Sequence, residues 1–237
     1  SVVFYGPQGM EIPRVIGVGL GPRGQLDHED FCFAVGRAMR QCHDLGLEFV
    51  GLDCASLDRV AHVLGVSLSE AAREAAFAAL MSLYSYDAWK SEKAKYGPRR
   101  LTLLLGEAYV QDGLRAAVRM AEAECAGISL ARDLANAPAN DLTPCAFAQK
   151  AEMLARRHGM DFSCLCRDDL KKEGMNAFLS VAKGSSEEPC MVVVRHVPKG
   201  TEDKQPIVLV GKGLCFDSGG ISLKPAKGME AMKADMS

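Results

Sequence analysis

The groups best placed to do chemistry lie in the C-terminal stretch QPIVLVGKGLCFDSGGISLKPAKGMEAMKADMS, residues 205–237. An apolar run at 207–210 breaks directly into Lys212, Asp217, Lys224 and Asp235, interleaved with Gly211, Gly213, Gly219 and Gly220. Strand ends that open into glycine-rich loops are where α/β proteins place their sites. A phosphate loop is one reading of Gly211-Lys212-Gly213, but that motif needs four residues between its glycines and a Ser or Thr after the lysine. Neither is present. Thiolate zinc is disfavoured too, because no C-x-x-C pair occurs. His28, His43, His62, His158 and His196 are dispersed without ligand spacing. On spacing alone the segment reads equally well as a turn built from Asp217, Ser218 and two glycines, with Lys224 and Asp235 on the surface.

Taken whole, the stretch is similar to the signature of the M17 leucyl aminopeptidases, VGKG-x-x-FDSGG-x-x-x-KP followed by an aspartate in a short A-D-M, and it carries that pattern without a gap. Upstream, ARDLANAPANDLTP at 131–144, GMNAFLSVAKGS at 174–185 and YDAWKSEK at 86–93 resemble further blocks of the family. Before residue 86 the likeness rests mainly on VIGVGLG and the helix after it. The resemblance implies Lys212, Asp217 and Asp235 as metal ligands and Lys224 as the catalytic lysine. It also implies two divalent metal ions, zinc or manganese, a bicarbonate in the complete site, peptide substrates with a free N-terminus, a homo-hexamer and a cytoplasmic location.

These residue types suit peptide hydrolysis. A pair of dications generates a nucleophile at neutral pH and stabilises developing negative charge. Carboxylates can bridge two metals, and the resemblance gives that role to Asp217. A lysine ligand must first lose its proton, which for a free amine costs about 5 kcal/mol at pH 7. Metal binding of about 10 kcal/mol or more offsets that cost. A protonated Lys224 would polarise the scissile carbonyl. The family draws two further acidic ligands and an arginine from a motif N-T-D-A-E-G-R, which these 237 residues do not contain. A polypeptide of this sequence alone is therefore expected to be inactive. The alternative function is that of a non-catalytic nucleic-acid-binding or structural subunit of the same family.

Alternating elements must position this loop. A buried strand is expected over 15–19, then a helix with Phe31, Ala34, Val35, Ala38, Met39, Cys42 and Leu45 on one face, capped by Asp27 or Asp30 and stopped at Gly46. Another strand follows at 48–52. Ser67 and Glu70 have capping-box spacing ahead of an alanine-rich helix. Residues 101–105 read as a strand, and a long helix starts at Asp112. Thr143-Pro144 opens a helix that Gly159 closes, and strands are expected at 162–166, 190–197 and 207–210. The alternation gives an α/β fold class, and the family resemblance implies a macro-like N-terminal α/β domain over 1–107 followed by an incomplete α/β catalytic domain with a central mixed sheet over 108–237.

Composition narrows the partners. With 48% apolar residues the chain can bury a substantial core, and 28 basic against 30 acidic residues leave no global field for nucleic acid or a membrane. The exception is local: Lys90, Lys93, Lys95, Arg99 and Arg100 with only Glu92 opposing them, which reads as a solvated connecting segment. Nucleic acid is not expected as a partner. No apolar run is long enough to span a bilayer and no secretory signal layout opens the chain, so it reads as soluble. Nine scattered cysteines, an odd number, read as reduced thiols of a cytosolic protein.

Overall fold

The computed structural model describes residues 1–6, 12–92, 97–106 and 112–234, with residues 112 and 234 described by backbone alone. The chain divides into two compact units, residues 1–130 and 131–237. The domain boundary expected at 107/108 falls outside the described residues, as do Asp235, Lys93 and Lys95. Each unit is α/β.

In the first unit, β1 (Val2–Tyr5) pairs antiparallel with β2 (Arg14–Gly17). Helix α1 (His28–Asp44) starts where the Asp27 carboxylate accepts from the Asp30 N–H at 2.8 Å. Glu29 and Asp30 then set negative charge against the positive end of its dipole. It ends as expected at Gly46, whose φ of +66° suits a residue without a Cβ. Strand β3 (Phe49–Asp53) runs straight into α2 (Cys54–Leu64), because Asp53 is both the last strand residue and the helix cap. Ser67 and Glu70 form the expected capping box at the start of α3 (Leu68–Ser82). The chain then returns as β4 (Arg100–Leu104), parallel to β3 with Gly51 opposite Thr102. A parallel pair requires a crossover, and α2 and α3 provide it.

The core of this unit centres on Phe31, Leu57, Val60, Leu68 and the alanine face of α3. Ala71, Ala72 and Ala75 are fully buried, and side chains this small allow neighbouring helices to approach closely. Helix α4 (Asp112–Asn136) contributes Leu114, Ala121 and Cys125 from one face, and Glu124 ties it to Arg73 of α3 at 2.5 Å.

In the second unit, α5 (Pro144–Arg157) carries the expected Thr143 cap, whose hydroxyl accepts from the Ala146 N–H at 3.3 Å, with Pro144 at the first turn. β5 (Asp161–Cys166) pairs antiparallel with β6 (Cys190–Arg195), and α5 packs on both. Between the strands lie α6 (Arg167–Lys172), anchored by fully buried Leu170, and α7 (Asn176–Val181). The strand expected at 207–210 is not formed. Ile207, Leu209 and Val210 are each 92% exposed, and no ladder pairs with them among the described residues. An apolar sequence proposes a strand, but only a neighbouring strand's hydrogen bonds make one.

Candidate active-site loop

After residue 210 the chain makes no regular element until a short 3-10 helix at Met229–Ala234. What organises the loop is Asp217. One carboxylate oxygen, Oδ1, accepts the Gly219 N–H at 2.8 Å. The Lys224 ammonium lies 3.3 Å from that oxygen and donates to the Asp217 carbonyl at 2.7 Å. The Lys224 N–H in turn donates to the Ser218 carbonyl at 2.9 Å. Residues 217–224 thus close on themselves, with the lysine head folded back over the aspartate that opens the turn.

This closure depends on glycine. Gly219 has φ +97°, and a Cβ there would collide with the Ser222 carbonyl oxygen. Gly220 follows at φ +64°. Two consecutive left-handed residues turn the chain tightly enough to bring Lys224 back to Asp217. Phe216 adds a seat for the charge, with the Lys224 ammonium 5.1 Å from its ring centroid. Neither Gly219 nor Phe216 stood out from the sequence as a positioning group, although the paired glycines after Asp217 did announce a turn.

The other end of the loop is fixed by packing. Gly213, at φ +41°, lies against Phe147 of α5, and Leu214 and Phe216 line a small apolar recess with Leu134, Ala137 and Leu142. Lys233 also lines this recess and donates to the Asn136 carbonyl at 2.5 Å.

Of the four residues singled out by sequence, the fold brings Asp217 and Lys224 into contact. Lys212 is exposed on the same loop, and Asp235 lies outside the described residues. A carboxylate and an amine are donors that zinc or manganese accepts, so these residues fit a metal in kind. Among the described residues, however, no three His, Cys, Asp or Glu side chains converge as a ligand set. The basic segment is partly neutralised where it is described: Lys90 meets Asp87 at 2.7 Å, Arg99 meets Glu48 at 3.6 Å, and Arg100 stacks over Phe49. No helix among the described residues is long and apolar enough to cross a membrane.

Comparison with known proteins gives a consistent picture. The family model for the catalytic domain of the cytosol aminopeptidase family matches residues 129–237, and that for the family's N-terminal domain matches residues 1–93. A probable cytosol aminopeptidase of Nitratidesulfovibrio vulgaris is 45% identical over 99% of the chain, and one of Oleidesulfovibrio alaskensis is 38% identical over 99%. The chain spans 46% and 45% of those proteins, about half their length. Among solved structures, the bottromycin maturation enzyme BotP in complex with Mn superposes with a TM-score of 0.82 at 34% identity, covering 99% of this chain and 46% of that one.

Proposed function

The chain belongs to the cytosol aminopeptidase family, and on that premise we propose that it takes part in the metal-dependent release of N-terminal amino acids from peptides, with Lys212, Asp217 and Asp235 as metal ligands and Lys224 as the catalytic lysine. The observation that carries this reading is the return of Lys224 onto Asp217 within the ungapped signature, which sets a cation beside the carboxylate proposed as a metal ligand. When bound, two divalent ions would supply Lewis acidity and a water acidified enough to attack at neutral pH. Manganese in the BotP complex supports a metal of this class.

The chain's own residues do the rest. Asp217, its Oδ1 fixed by the Gly219 N–H, presents a carboxylate that has already lost part of its freedom, so little ordering remains on binding. Lys212 would hold the metal through its amine nitrogen. The Lys224 ammonium would donate to the scissile carbonyl oxygen, where charge grows most in the transition state. Substrates are peptides with a free α-amine, and the assembly is a homo-hexamer acting in the cytoplasm. The two further acidic ligands and the bicarbonate belong to residues that this sequence does not include.

The test pairs metal content with activity. Purified protein should take up zinc or manganese, and Asp217→Asn should weaken that uptake about tenfold or more. A polypeptide of these 237 residues alone should not hydrolyse leucine amide; hydrolysis by it would remove the need for the later ligands and sink the assignment. The reading as a nucleic-acid-binding subunit gains nothing from the described part of the basic segment, where Lys90 and Arg99 already have carboxylate partners.

A further inference from the structure

Of the cysteines that look scattered in sequence, Cys164, Cys166 and Cys190 converge in the second unit. Cys166 closes β5 and Cys190 opens β6, and the ladder sets them directly opposite each other as its terminal rung. Residues directly opposite in an antiparallel ladder have Cα atoms about 4.5–5.5 Å apart, inside the range of about 4.4–6.8 Å that a disulfide requires. Cys164 lies two residues back on the same face of β5, as the period of a strand demands, and interacts with both. We propose that Cys166 and Cys190 form a reversible disulfide across the end of the β5–β6 ladder, making this rung a thiol–disulfide modification site.

The environment assigns the roles. Cys166 is exposed and reachable by an oxidant in solution, whereas Cys190 is half-buried and its thiol donates to the Pro144 carbonyl at 3.3 Å. Burial first, then the charge and hydrogen bonding of Cys190 and Cys166, push Cys164 up to about 12, so it remains a thiol and does not compete as a nucleophile. Burial also pushes Cys190 up, with the charges of Cys145, Cys166 and Cys215 adding to it and the hydrogen bond from Cys164 opposing it. Register separates the two thiols of β5: Cys166 stands opposite Cys190, whereas Cys164 stands opposite Val192.

With a low-molecular-weight disulfide as oxidant, the exchange balances in two steps. The Cys166 thiolate attacks one sulfur of the oxidant, forming a mixed disulfide and expelling one thiolate. The Cys190 thiolate then attacks the Cys166 sulfur and expels the second. Two protein thiols are oxidised, one disulfide is reduced, and the two protein protons end on the two released thiols. The product loses the Cys190 bond to Pro144 and gains a covalent tie around α6 and α7.

Oxidised glutathione is the probe. After treatment, alkylation and tryptic digestion without reduction, peptides 158–167 and 184–195 should appear joined, and dithiothreitol should separate them. Cys166→Ser should abolish the joined pair, while Cys164→Ser, which keeps a hydrogen-bond donor, should retain it. Joining of 184–195 to the peptide containing Cys145, a pair that survives Cys166→Ser but not Cys164→Ser, or Cys166 and Cys190 both remaining alkylatable in correctly folded protein would each overturn the proposal. Cys166 is exposed, so its serine variant should fold, and circular dichroism checks that it does.

Discussion

Lys224 reaches back seven residues to Asp217, and that single contact governs how substitutions in the loop should read out. In protein that hydrolyses leucine amide, Lys224→Met is expected to lower kcat by about 100- to 1000-fold, the scale for removing one donor to a developing oxyanion. Steady-state kinetics checks it, and an effect confined to KM would remove Lys224 from the chemistry. Gly219→Ala is the complementary probe because it touches no reacting group. Its methyl would meet the Ser222 carbonyl in a left-handed backbone, which costs about 1–3 kcal/mol of local strain. The turn should open, and metal uptake measured by titration should weaken although every ligand is still present.

At the scale of elements, caps make the clearest predictions. Ser67→Ala removes the acceptor of the Glu70 N–H at 3.1 Å and should destabilise α3 by about 1 kcal/mol, read from a denaturant melt. Asp53 links stability to pH. The Ser56 hydroxyl, donating at 2.8 Å, is the largest influence holding its carboxyl below the ordinary range; slight burial opposes it, and the N–H groups of Ser56 and Ala55 add to it. The folded value lies below the unfolded one. The contribution is therefore complete above about pH 4 and fades as pH falls through the folded value. Asp53→Asn should flatten that acid limb, and melts repeated from pH 6 down to pH 2 would show it. In the core, Leu57→Ala should cost about 2–5 kcal/mol, since the side chain is 2% exposed among tightly packed alanines.

These same elements explain what could be read in advance. Caps such as Asp27, Ser67 with Glu70, and Thr143 with Pro144 are legible because donor and acceptor lie within a few residues of each other. That the expected strand at 207–210 does not form, and that Cys166 groups with Cys190, were not. The first turns on a partner strand that the described residues do not supply, and the second on a ladder register between residues far apart in sequence. The loop falls between: its residues were visible as a motif, but the fold of Lys224 onto Asp217 depends on the φ values of Gly219 and Gly220.

For the molecule as a whole, the exposed apolar run at 207–210 has a consequence for association between chains. Four adjacent apolar side chains with no ladder partner among the described residues resemble the segments that stack into cross-β fibrils, with Lys204 and Lys212 as the nearest charges opposing them. A polypeptide of these 237 residues should therefore become turbid on concentration and develop thioflavin T fluorescence. Val208→Lys should suppress both without altering the first unit's melt. The stretch that leads into the candidate loop would thus double as a nucleus for self-templated assembly whenever it is left uncovered, which makes covering it a requirement for solubility.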